Sequence, residues 1–267
     1  MKSTTTNSAA ALTIVLPYAG AELQTPYWAR GEDQIDWNRG GMAAARCTVA
    51  FAAVELRDRL LRMWPKRRIN FSAQIPDTGA AIVLGVSATI NKRFGLVLDK
   101  VPTDPQGYVI RSVKAAKQTF LMLSGRGREG TLYAVYAWLE ELGWRWQNPG
   151  VAGEIAPNKP PALRLTKWDV STTPDFPLFR GFHAAFKGKE SPDLFLWMAR
   201  NRLNTWCHHP ASAALMRKLG FRFISGGHVL ERILDPDLPQ TNGRTLFENH
   251  PDWFAQIKGK RARKQAH

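Results

Sequence analysis

Apolar positions along the chain change rhythm several times, and each change marks an element. In residues 43–63, AAARCTVAFAAVELRDRLLRM, the residues Val49, Ala52, Ala53, Leu56, Leu60 and Met63 recur at steps of three and four. That period predicts an amphipathic helix, and Pro65 ends it. AAIVLG at 80–85 predicts a short apolar strand. GYVIRSV (107–113) and QTFLMLSG (118–125) predict two more, and the short KAAK between them predicts a hairpin. A second helix is expected from near Gly130, with Leu132, Val135, Tyr136 and Leu139 on one face and Gly143 as its C-terminal cap.

The stretch NPGVAGEIAPNKPPAL, followed by LRLTKWDV and STTPDFP, has the Pro and Gly content of a domain junction. Beyond it the rhythm becomes strand, helix, strand, helix, strand. LFRGFH, NTWCHH and FRFISGGH read as the strands, and SPDLFLWMARNRL and ASAALMRKLG as the helices, with Ser191 capping the first. Short connections of this kind imply parallel pairing through right-handed crossovers. They match the opening of a (β/α) barrel, which typically takes about 250 residues. Roughly a hundred residues follow the junction, so the barrel is expected to stop about three strands in, leaving a truncated chain with an open sheet edge. The expected fold is an α+β amino-terminal domain, a mixed sheet with two helices on it, over 1–167. A partial α/β, TIM-barrel-like segment follows over 168–267.

Charge and composition adjust this picture only in places. Lys and Arg number 37 against 22 Asp and Glu, a formal net charge of +15, which raises the question of nucleic acid. Five of the cations crowd the end of the chain (Lys258, Lys260, Arg261, Arg263 and Lys264), and no recognisable nucleic-acid module accompanies them. A solvated basic face, with no nucleic-acid partner, is the reading taken. Ten Trp and thirteen Phe suit a core, with flat sugar platforms as the rival use. Cys47 and Cys207 form neither a disulfide framework nor a zinc site, and a bridge between them stays open. The start imitates a signal peptide only weakly, since ALTIVLP reads equally well as a strand, so the compartment is undecided. No run approaches the ~18 apolar residues of a membrane helix, and no membrane partner is expected.

Gly125, Gly127 and Gly130 spell G-x-G-x-x-G between a strand and a helix, the setting of a dinucleotide phosphate site. Three features count against that use. The strand before the glycines is hairpin-paired, WRWQNPG is a poor core strand, and Glu154 lies beyond the ~20-residue spacing of a ribose-binding carboxylate. The alternative is structural. Gly125 and Gly127 allow a tight turn, Gly130 allows close helix packing, and Arg126 and Arg128 are solvated. No cofactor is expected on this reading; a nucleotide-dependent oxidoreductase is the less favoured rival.

The stretch GYVIRSV…LSGRGREGTLYAVYAWLEELGWRWQNPG resembles the amino-terminal domain that precedes the barrel in α-glucuronidases of glycoside hydrolase family 67. Similar domains precede the barrels of β-N-acetylhexosaminidases and many bacterial relatives. Gly130, Leu132, Tyr133, Tyr136, Leu139, Glu140 and Gly143 match the helix pattern of that domain. FRGFH, WMARNRLN, GGHVL and HPDWFAQIKGKR continue the resemblance, which thus runs through most of 80–261. It implies the front part of a polysaccharide-degrading, α-glucuronidase-like glycosidase with a carbohydrate substrate and no metal. A non-catalytic carbohydrate-binding or accessory module is the alternative.

Barrel enzymes place their sites at the carboxyl ends of strands. Here those ends offer Arg180 and His183, then His208 and His209, then His228. Arg180, His183, His208 and His228 are the candidate substrate-binding residues, Arg180 through a bidentate grip on a sugar carboxylate. The plainer role for Arg180 is an ion pair with Asp169 or Asp175, and for Trp206 a place in the core rather than a stacking platform. At most one of His208 and His209 points inward, because strand residues alternate. Several histidines also suggest a metal hydrolase, but no H-x-H pair or carboxylate set supports a metal site. Glycosidases of these families use two carboxyl groups on middle or late strands. Glu231, Asp235 and Asp237 fit no such motif, so no catalytic residue is assigned, and this chain by itself is expected to be inactive.

Overall fold

The computed structural model describes residues 11–115, 118–182, 191–207, 212–224, 233–257 and 260–261. The chain forms two compact units, residues 1–223 and 224–267.

The first unit is built on a six-stranded mixed sheet. Its strands are β1 (Leu12–Val15), β2 (Ile69–Ser72), β3 (Ala80–Val86), β4 (Tyr108–Ala115), β5 (Gln118–Gly125) and β8 (Asp169–Thr172), in the order β2-β1-β3-β5-β4-β8. β2, β1, β3 and β5 run parallel. β4 is antiparallel to both β5 and β8, and the β4–β5 hairpin has the expected register, Tyr108 opposite Gly125.

Alternation along the buried strands separates two cores. Ile14, Ile82, Leu84, Leu121 and Leu123 face one side, where α1 (Ala21–Trp28), α2 (Gly41–Met63) and α4 (Arg128–Glu141) lie over them. Val15, Ala81, Val83, Phe120 and Met122 face the other, covered by Ile90 and Phe94 of α3 (Ser87–Phe94). The two helices expected on the sheet are α2 and α4; α1 and α3 accompany them. α4 ends as Gly143 takes φ +100°, with Gly143 N–H donating to Glu140 O and Trp144 N–H to Leu139 O. This is a Schellman turn, which only glycine enters without strain.

A second layer continues in the same unit. β6 (Arg145–Trp146) pairs antiparallel with β7 (Glu154–Ile155). Then β9 (Gly181–Phe182), α5 (Pro192–Arg200), β10 (Thr205–Cys207), α6 (Ala213–Lys218) and β11 (Arg222–Ile224) follow, with strand order β11-β10-β9 and β9 parallel to β10. The expected strand–helix alternation is therefore present. Ser191 caps α5 by accepting from Leu194 N–H. The aromatic content fills this region. Trp138, Trp144 and Trp206 are fully buried, and Phe195 packs edge-on to Trp206 with centroids 5.3 Å apart. Trp206 thus belongs to the core and is no stacking platform.

In the second unit, a helical turn at Leu246–Asn249 opens with a capping box between Thr245 and Glu248. A hairpin joins Gln256–Ile257 to Lys260–Arg261. Among the described residues no helix is long and apolar enough to cross a membrane.

Candidate functional site

The glycine turn between β5 and α4 is filled by its own backbone. Arg126 N–H donates to Gly107 O and Gly127 N–H to Pro105 O, both at 2.9 Å, while Gly125 N–H meets Thr131 Oγ1 at 3.2 Å. These are the amides a phosphate would need, and each already has an acceptor. A Cβ on Gly125 would sit 2.2 Å from Thr131 N, and one on Gly130 would sit 2.3 Å from Gly107 O. The glycines therefore serve close packing of strand, turn and helix.

One detail corrects the sequence reading. Arg126 is exposed, but Arg128 is not a solvated cation. Its Nη1 donates to Thr48 Oγ1 and Arg217 O, at 2.9 and 2.6 Å, and its guanidinium lies over Trp37. The basic excess as a whole is likewise not only a solvated face, for Arg59, Arg67, Arg200 and Lys218 are buried.

Arg180, at the start of β9, is the one candidate substrate residue within the described part of the chain. Its Nε donates to Arg202 O at 2.8 Å, its Nη1 to Phe176 O, and its Nη2 to Gln106 Oε1 at 2.6 Å and Tyr133 OH at 3.2 Å. Four of its five N–H groups face protein acceptors, which leaves no free edge for a bidentate grip. The ion pair considered with Asp169 is not formed, since Asp169 binds Arg111 at 2.8 Å. Asn204 completes the arrangement by donating to Gln106 Oε1 and accepting from Arg180 N–H. Beside it lies a hollow of about 300 Å³ lined by Tyr108, Thr172, Asp175, Arg180, Asn201 and Arg202. That is the lower end of the ~300–1,000 Å³ of small-molecule sites. Arg180→Lys keeps the charge but loses the fork, and should cost about 1–3 kcal/mol, read as a lowered urea midpoint.

His183, His208, His209, His228 and Glu231 lie outside the described residues. Asp235 accepts from Asp237 N–H in a local turn. Among the described residues no cluster of His, Cys, Asp and Glu could hold a metal ion. Cys47 is a free, buried thiol pushed up to about 11 by that burial.

The largest polar feature was not foreseen. Glu55 on α2 meets Arg200 of α5 at 3.0 Å and Arg59 at 3.2 Å. Glu154 at β7 meets Arg59 and Arg200 at 2.8 Å each and Arg62 at 2.5 Å. Tyr136 of α4 donates to Glu55 at 3.3 Å. Burial alone would push the Glu55 carboxyl up, but Arg200 and Arg59 outweigh it and hold it below its ordinary value. Tyr136 is held well above its ordinary value, first by burial and then by the Glu55 charge. A signal for this network was available. Glu55 and Arg59 sit four residues apart among the apolar positions of α2, where isolated charges do not belong.

Residues 32–138 match the family model described as Glycosyl hydrolase family 67 N-terminus. The matched span runs from the turn before α2 to Trp138 in α4, so it takes in β3, the β4–β5 hairpin and the glycine turn. No curated protein matches the chain.

Proposed function

We propose that the glycosyl hydrolase family 67 amino-terminal domain carried by residues 32–138 is the non-catalytic front layer of an α-glucuronidase-like glycosidase of polysaccharide breakdown. On this reading residues 1–167 are the front domain and 168–267 the opening strands of a (β/α)8 barrel, which the parallel pairing of β9 with β10 supports. The family match is the observation that carries the proposal.

The chemistry of the described residues agrees with a supporting role for them. Glycosidic hydrolysis uses a proton donor and a second carboxylate, roughly 5 to 9.5 Å apart. Glu55 and Glu154, the carboxylates inside the helix layer, are each held by two or more arginines. Arg200 and Arg59 hold the Glu55 carboxyl below its ordinary value, so it has no proton to donate. Their work is to tie α2, α4, β7 and α5 together. Arg180 acts through its neighbours, fixing the start of β9 against Gln106 and Tyr133. His183, His208 and His228 are the proposed sugar-facing groups.

Incubating the full chain with an aryl glucuronide and an aryl β-hexosaminide tests the proposal. No turnover of either, with retention on acidic oligosaccharides, is the expected result. Turnover by the chain alone would overturn the supporting role, because it requires a working carboxylate pair within it.

A further inference from the structure

We propose that the crevice at the carboxyl ends of β1 and β3 binds a small carboxylate on an apolar body, with Arg46 as its anchor. The inference is independent of the glycosidase reading and uses none of the residues around Arg180.

Topology locates the crevice. β1 and β3 are parallel neighbours, Val15 opposite Val83. The chain leaves β1 into α1 and α2 on one face of the sheet, and leaves β3 into α3 on the other. Where the exits of adjacent parallel strands part to opposite faces, the backbone opens a gap outside the strand ends, and open α/β sheets bind ligands there. In this chain the gap is a cavity of about 100 Å³. It takes a fragment-sized molecule and not a dinucleotide. Pro17 packs against Gly85 of β3 as one wall, an approach that requires the glycine, since a Cβ there would come within 2.9 Å of the proline ring. Val86 and Met42 add apolar wall, and Thr89 contributes a hydroxyl.

Arg46 supplies the specificity. Its guanidinium stands 5.1 Å from the Tyr18 ring and 4.8 Å from the Trp28 ring. Tyr18 is itself fixed by a 2.9 Å hydrogen bond to Thr25, so the cation rests against held aromatic faces. Arg59, Arg180 and Arg200 are all met by acceptors. Among the described residues none accepts a hydrogen bond from Arg46. A half-buried, oriented guanidinium with its planar fork unspent is matched by a carboxylate, which takes two parallel N–H bonds. The first turn of α2 reinforces this preference, since it carries no acidic residue and no side-chain cap. One arginine among apolar walls neutralises one negative charge. A phosphate dianion would keep a second one desolvated, so a monocarboxylate is favoured.

The test titrates the full chain calorimetrically with benzoate and hexanoate, using benzyl alcohol, hexanol and inorganic phosphate as controls. Saturable binding of the carboxylates, with no saturation by the alcohols or phosphate, is expected. Met42 is 82% exposed, so Met42→Glu should fold normally while offering Arg46 an internal rival. It should weaken carboxylate binding about tenfold or more, a shift of about 1.4 kcal/mol. Arg46→Lys, checked for native circular dichroism, should weaken it similarly. The proposal fails if neither carboxylate saturates, if the alcohols bind equally, if phosphate binds at least as well, or if Met42→Glu binds undiminished.

Discussion

Replacing Arg200 with methionine is expected to destabilise the first unit by about 3–5 kcal/mol, the cost of removing one partner from a buried ion network. Among the described residues Arg200 is the only bridge in that network from α5, and it meets both Glu55 and Glu154. Without it each carboxylate keeps its desolvation cost, Glu55 loses its nearest cation and Glu154 loses one of its three. Urea unfolding followed by circular dichroism would give the difference, and a loss under about 1 kcal/mol would contradict the account. Acid offers a second reading of the same network. The Glu55 carboxyl is held below its ordinary value in the fold. Its contribution is therefore fully present above the unfolded value of ~4.3, and is lost as pH falls through the lower folded value. Stability of the native chain should fall on acidification below about pH 4.3, and Glu55→Gln should show a shallower acid limb from a lower starting point.

Gly130→Ala is the second large effect. Alanine favours a helix interior over glycine by about 1 kcal/mol, so propensity alone predicts stabilisation. The structure predicts the opposite sign. The added Cβ would lie 2.3 Å from Gly107 O and 3.1 Å from Gly125 Cα, and both neighbours are backbone that cannot swing aside. A net loss of about 3 kcal/mol or more follows, the upper end of overpacking costs. Gly31→Ala is the matched control, because its Cβ would meet nothing closer than 3.5 Å. If Gly130→Ala were as stable as that control, the close approach of α4 to the turn would be wrong.

Both sites show how far the pattern of residues reaches. The steps of three and four in 43–63 were enough for α2, which the structure places at Gly41–Met63, and QTFLMLSG was read to the residue as β5. β2 and β8 escaped notice because INFS and DVST lie at the sheet's edges, where one face and one hydrogen-bonding side are free and an apolar run is not required. α1 carries Pro26 within it, and α3 is a helix of 8 residues whose stripe is no more than Ile90 and Phe94, so neither offers a long period to read. The candidate site was legible only in part. Arg180 was expected at a strand's carboxyl end, whereas it precedes β9, and its partners Gln106, Tyr133 and Asn204 lie far away in the chain.

Local sequence determined the elements with a strong period, the Schellman glycine after α4, the hairpin and the strand–helix alternation beyond the junction. Each of these depends on residues within a few positions of one another, so neighbouring side chains and backbone preference suffice. Tertiary structure alone decided that β1 lies inside the sheet between β2 and β3, that Arg128 turns inward to Thr48, and that Glu55 finds Arg200. The reason is physical. The energy of a buried charge or a close backbone approach is set by what packs against it from distant segments, and no local pattern records that partner.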